Sequence, residues 1–259
     1  MNLTLVPICG RGEFESWLQE QRTTAGQTST LEPGDSAIAY DVEDLYFLYC
    51  MVRQTAAVSV LEYGSGWSTL ALGRAILENR DSFGRDFQVA HPNPFELLSV
   101  DASEYWQMVA TERLPKKQLE LTTMFHAQAQ LVNYQGQVAS VFEGVPAFTP
   151  DLVYLDAPDP EQVVGSVFGR GAELLNQIPN SADVLLREHS LWPESLVVTD
   201  GRTANARFLQ SNLRRNWQWL HDPYGDRTVF RLEEPSLGWK SLSHTHFRSS
   251  VARELRAMS

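Results

Sequence analysis

The stretch Val58-Ser59-Val60-Leu61-Glu62-Tyr63-Gly64-Ser65-Gly66-Trp67-Ser68-Thr69-Leu70 joins an apolar run to an acid, two glycines one residue apart, and a hydroxyl pair. It predicts a strand over 58–61, a tight turn, and a helix over 68–79 with Ser68 as a suitable N-cap. Gly64 and Gly66 carry no Cβ, so a ligand can approach their backbone closely. In an open α/β sheet this arrangement holds a nucleotide-like ligand beyond the carboxyl ends of the strands.

The same punctuation recurs downstream. Leu97-Leu98-Ser99-Val100-Asp101, Asp151-Leu152-Val153-Tyr154-Leu155-Asp156 and Ser195-Leu196-Val197-Val198-Thr199-Asp200 are short apolar runs, each ending in an acid. Helical spacing of apolar residues marks 41–55, and helices are expected over 13–21, 103–113, 161–176, 182–188 and 205–215. A further strand is expected at 119–122. Runs at 129–134 and 138–142 flank Gln135-Gly136 and predict a hairpin. A second hairpin is predicted at 217–221 and 227–232, around the turn residues 223–226. Strands alternating with helices predict an α/β fold, a doubly wound and mostly parallel sheet closed by a terminal antiparallel hairpin. Residues 80–95 read as a loop or insertion.

Composition narrows the class. The chain has 259 residues, is 43% hydrophobic, and carries a net charge of −11. No apolar run reaches the roughly 18 residues of a membrane span, and the N-terminus lacks a signal-like pattern, so the expectation is a cytoplasmic protein with no membrane partner. A nucleic-acid surface usually shows as a basic patch, and here the balance is acidic. The tail is the exception, with Lys240, Arg248, Arg253 and Arg256; it reads as a solvated helix, and His244-x-His246 as part of that tail. Cys9 and Cys50 make neither a disulfide framework nor a metal cluster. A homo-oligomer is compatible with all of this.

Strand ends in a doubly wound sheet converge on one crevice, so Glu62, Asp101, Asp156 and Asp200 are expected there together. The order Glu62-x-Gly64-x-Gly66 resembles the first motif of class I S-adenosylmethionine-dependent methyltransferases. The strand ending at Asp101 resembles their ribose-binding strand end, the one ending at Asp156 their fourth-strand motif, and Leu196 to Arg202 the fifth strand of small-molecule O-methyltransferases. The resemblance covers about residues 41–232. It implies a seven-stranded Rossmann-like sheet, S-adenosylmethionine as cofactor, and transfer of its methyl group to a small-molecule acceptor, foremost at oxygen.

The resemblance makes Glu62, Gly64, Ser65, Gly66, Ser68, Thr69, Asp101 and Asp156 the cofactor-binding candidates. Backbone N–H groups at the helix start can meet the cofactor carboxylate. Asp101 can accept from both ribose hydroxyls, and Glu62 can serve a cationic group or brace the glycine loop. Asp156, Asp200 and His189 are the catalytic candidates, with His126 as another possible base. The primary expectation is no metal; the alternative is magnesium on Asp156 and Asp200, with Asn205 or Asp159 as a third ligand. Tyr40, Asp41 and Asp44 could fold over the methionine end. The implied organisation is an N-terminal helical lid over 1–56, a cofactor-binding core over 57–235 and a C-terminal tail over 236–259.

The chain departs from the pattern in three places. Ser68 replaces the third glycine. Asp101 follows Glu62 by 39 positions, where about twenty is usual for such fingerprints. No adenine motif follows the third strand, leaving Gln128, Ala129 and Gln130 as candidates by position. A nicotinamide-dependent oxidoreductase would need a glycine at Thr69 and an acid after the turn. The remaining alternative is a non-catalytic binding protein of the same fold.

Overall fold

The computed structural model describes residues 9–28, 40–156, 158–171 and 179–258. In chain order the elements begin with α1 (Arg11–Thr28), α2 (Val42–Gln54), β1 (Ser59–Tyr63), α3 (Trp67–Phe83), β2 (Glu96–Asp101), α4 (Glu104–Arg113), α5 (Lys116–Leu119) and β3 (Thr122–His126). They continue with β4 (Ala129–Tyr134), β5 (Gln137–Phe142), β6 (Leu152–Leu155), β7 (Val163–Val164), β8 (Ser166–Val167), β9 (Arg170–Gly171) and β10 (Asn180–Ser181). Last come α6 (Asp183–Arg187), β11 (Leu196–Asp200), α7 (Thr203–Asn212), β12 (Trp217–Asp222), β13 (Arg227–Leu232) and α8 (Trp239–Met258).

Seven strands form the central sheet in the order β12-β13-β11-β6-β1-β2-β3. β1, β2, β3, β6 and β11 run parallel, and β13 enters antiparallel between β11 and β12. This is the expected doubly wound α/β sheet with its closing antiparallel pair. The chain builds outward from β1 through β2 to β3, then returns to the other side of β1 through β6 and β11. The reversal makes the β1/β6 boundary the place where a crevice opens at the strand ends.

Every residue of β1 is buried, as a parallel strand covered on both faces requires. Val60 faces a core shared with Leu48, Tyr49, Leu70 and Ile76. Leu61 and Tyr63 face the opposite core with Val153, Val197 and Leu209. The α2–α3 pair closes the first face, so the N-terminal helices are built into the core as well as rimming the crevice.

The hairpin at 129–142 forms through Gln135 (φ 52°) and Gly136 (φ 84°), the two left-handed residues that suit a tight hairpin turn. It belongs to a separate four-stranded sheet, β10-β5-β4-β7. The third strand lies at 122–126, a few residues beyond the expected 119–122, because α5 occupies part of that segment. The helix expected over 161–176 is not formed where the chain is described. Gly165, Phe168 and Gly169 all take positive φ, which breaks a helix, and β7, β8 and β9 occupy 163–171; residues 172–178 lie outside the described residues.

The tail is a helix as expected, with Lys240, His246, Arg253 and Arg256 exposed, but its other face is a correction: α8 buries Ser241, His244, Arg248 and Ala252. Asp151, buried at the start of β6, accepts from His244 Nε2 at 2.6 Å and Arg248 Nη1 at 2.9 Å on one oxygen and from the Val58 amide at 2.8 Å on the other. Arg248 also donates to the Thr55 carbonyl at 3.1 Å. His91 packs on His244, and the ligand atoms of His91, Asp151 and His244 lie within 4.8 Å of one another. Arg248 brings a permanent positive charge to Asp151, and the Asn93 amide donates to His91 Nδ1 at 3.1 Å, which puts the neutral ring's proton on Nε2. The group is an ion-paired anchor for α8. No described helix is long and apolar enough to cross a membrane.

Candidate active site

The glycine loop turns where β1 ends. Gly64 adopts φ 101°, a conformation that side chains with a Cβ resist. Its amide donates to the Val100 carbonyl at 2.8 Å, tying the loop to β2. Gly66, not Ser68, is the N-cap of α3, and a Cβ there would meet nothing within 4 Å. The loop therefore leaves open space on the side that faces the crevice.

Glu62 is fully buried and works beneath the loop. Ser68 Oγ donates to its Oε1 at 2.6 Å, while Thr69 Oγ1 and Ser99 Oγ donate to Oε2 at 2.7 and 2.6 Å. Thr69 Oγ1 in turn accepts from the Gly66 amide at 2.9 Å. Burial pushes the Glu62 carboxyl up to about 7, against the pull of the three hydroxyl donors. Glu62 does not line the cavity, and its hydrogen bonds brace the loop from beneath. Thr69 is likewise a loop anchor rather than a cavity-lining residue. Ser68, which stands where a third glycine was expected, has a purpose a glycine could not serve: it supplies a hydroxyl to Glu62.

Asp101 closes the loop from β2. Its Oδ2 accepts from the Ser65 amide at 2.6 Å and its Oδ1 from the Ser103 amide at 2.7 Å. Desolvation raises its carboxyl, and these two amides oppose the shift. Each oxygen keeps a lone pair for a further donor.

A cavity of about 380 Å³ opens above these groups, and Gly64, Ser65, Gly66, Ser68 and Asp101 line it. Asp156, Asp159 and Asp200 line its far wall, and Tyr40, Asp41, Asp44 and Leu45 close it from the α2 side. Asp156 directly follows β6, with half of its side chain exposed, and lies 3.6 Å from Arg202 Nε. The low-dielectric wall raises its carboxyl, Arg202 opposes that shift, and Asp200 and Asp159 reinforce it. Asp200 accepts from the Tyr154 hydroxyl at 3.3 Å. Asp44 pairs with Arg227 at 3.0 Å, and burial together with Asp200 pushes its carboxyl up to about 6.

Several candidates fall outside the cavity. His189 is exposed in a turn before β11, so it lies at the opposite end of the strand from Asp200. Asn205 accepts from the Ser181 amide at 2.8 Å and holds β10 in place. His126 contacts the Ala102 carbonyl at 3.1 Å and is exposed. Gln128 precedes β4, and Ala129 and Gln130 lie in it, so they belong to the accessory sheet and do not line the cavity. The residues missed from sequence are Trp106, Arg113 and Gln162 on the cavity wall; Trp106 and Arg113, seven positions apart on α4, carried a helical-face signal.

No family model matches the chain, and no curated protein matches it. Among solved structures it is similar to the SAH-bound methyltransferase PaMTH1 of Podospora anserina, at 14% identity and TM-score 0.50, over 84% of this chain and 88% of that one. It is also similar to the SAH complex of an O-methyltransferase from Bacillus cereus, at 13% identity and TM-score 0.44, over 85% of this chain and 91% of that one. The likeness to PaMTH1 shows the fold: a mixed α/β, Rossmann-like methyltransferase sheet.

Proposed function

We propose that this chain is an S-adenosylmethionine-dependent methyltransferase acting on a small-molecule acceptor, with oxygen as the acceptor atom. The observation that carries the reading is Asp101, held by the Ser65 and Ser103 amides at the edge of a cavity floored by Gly64 and Gly66. The residues fit the cofactor. An acid at a strand end can accept from two vicinal hydroxyls, and the open space at Gly66 admits a ligand against the backbone. When bound, the cofactor supplies an electrophilic methyl group on a sulfonium.

The chain's own contribution is positioning and proton handling. Gly64 to Ser68 and Asp101 orient the cofactor end. Asp156 and Asp200 face the acceptor end, and a carboxyl raised above its ordinary range is a stronger base once ionised. Tyr40 to Leu45 exclude water from the α2 side. His189 has no part in this arrangement. No step of this reading is routed through magnesium, and Asn205, one of the two candidate third ligands, is committed to Ser181.

The test is calorimetric titration of the full chain with S-adenosylhomocysteine and, separately, with NAD. Micromolar binding of the first alone supports the reading. No binding of S-adenosylhomocysteine at millimolar concentration removes it.

A further inference from the structure

Three arginines lie at or beside the cavity, and two are answered by carboxylates. Arg202 meets Asp156, and Arg227 meets both Asp44 and Asp222. The third, Arg113 at the end of α4, lines the cavity itself. Six carboxylates line the same cavity, those of Asp41, Asp44, Asp101, Asp156, Asp159 and Asp200. None of them pairs with Arg113, and no other described carboxylate does. Its guanidinium carbon lies over the Trp67 ring, 4.2 Å from the centroid, and Tyr40 packs on Trp67 with ring centroids 4.6 Å apart.

A basic residue in the last turn of a helix often serves the free carbonyls there. Arg113 makes no such hydrogen bond among the described residues. Arg113 lines the cavity wall, and the indole beneath holds its guanidinium there. A guanidinium held over an aromatic face, partly stripped of water and without a carboxylate partner among the described residues, is suited to bind a planar or tetrahedral oxyanion.

We infer that Arg113, seated on Trp67, is an anion-recognition residue of this cavity and takes a carboxylate or phosphate group of the bound ligand. The inference rests on the reading of the cavity as a cofactor crevice only in the identity of that ligand. The anion has two sources, the amino-acid carboxylate of the cofactor or an acidic group on the acceptor. The site is thereby polarised, with an oxyanion subsite at Arg113 and Trp67 and the carboxylates Asp156, Asp159 and Asp200 on another wall.

The experiment is calorimetry on the full chain, comparing wild type, Arg113→Gln and Arg113→Lys. The probes are S-adenosylhomocysteine, 5′-methylthioadenosine, which lacks the carboxylate, inorganic phosphate and benzoate. If the cofactor supplies the anion, Arg113→Gln weakens S-adenosylhomocysteine by roughly tenfold or more and leaves methylthioadenosine unchanged. If the acceptor supplies it, S-adenosylhomocysteine is unchanged, and wild-type binding of phosphate or benzoate disappears in Arg113→Gln. Arg113→Lys retains part of the affinity in either case. Equal binding of all four probes by wild type and Arg113→Gln overturns the inference, as does an equal loss of methylthioadenosine, which marks a purely architectural role. Wild type that binds phosphate or benzoate through Arg113 but no S-adenosylhomocysteine would retain the subsite and remove the methyltransferase reading.

Discussion

Asp101 and Ser65 are 36 positions apart in sequence and joined by a 2.6 Å hydrogen bond from the Ser65 amide to Asp101 Oδ2. The bond clamps the glycine loop of one strand to the acid that ends the next. It makes one rigid rim out of two motifs that are separately weak.

Asp101→Ala should weaken S-adenosylhomocysteine binding by about 10- to 100-fold, the loss expected for hydrogen bonds to a charged acceptor. Calorimetry on a variant of unchanged circular dichroism is the measurement. Affinity equal to wild type would take Asp101 out of the cofactor site.

Replacing Glu62 tests the brace below the loop. Glu62→Leu strands the Ser68, Thr69 and Ser99 hydroxyls in a site closed to water. Urea unfolding should show a loss of roughly 3 kcal/mol or more. Glu62→Gln keeps an acceptor and should lose clearly less. Equal losses from the two variants would contradict the assignment.

Arg248→Leu takes the guanidinium away from the buried Asp151 and should cost roughly 3–5 kcal/mol. The double variant Asp151→Asn/Arg248→Leu should recover part of that loss, since it also removes the buried charge that lost its guanidinium. Additive losses in a double-mutant cycle would mean that the two residues stabilise the fold independently.

His91 gives the anchor a pH signature. Burial holds its imidazole down to about 4, whereas an unfolded histidine titrates at about 6.5. Between those values the unfolded chain binds a proton that the folded chain refuses. Its contribution is therefore full above pH about 6.5 and is lost as pH falls toward 4, on the order of 3 kcal/mol in all. Denaturant unfolding of wild type and His91→Asn across that range should show the wild type losing more stability. Parallel pH curves would show that His91 is not held neutral.

What the chain discloses by itself follows the range of the interactions. The β1–loop–α3 unit and the acids at 101, 156 and 200 are legible because strand, turn and cap are local patterns. The hairpin at Gln135-Gly136 is legible for the same reason. The role of Ser68 is not, because its partner Glu62 is recognisable only once helix and strand are docked. Asp151 and Arg248 lie 97 positions apart, so nothing near Arg248 distinguishes it from a solvated tail residue. His189 misleads because proximity in sequence to β11 says nothing about which end of the strand it occupies.

A crystal structure of the chain with S-adenosylhomocysteine decides whether the Gly64–Gly66 loop and Asp101 hold the cofactor. The ligand is expected against Gly64 and Gly66, with the ribose hydroxyls within hydrogen-bond distance of the Asp101 carboxylate. A ligand seated elsewhere, or a ribose out of reach of Asp101, takes the loop and Asp101 out of the cofactor site.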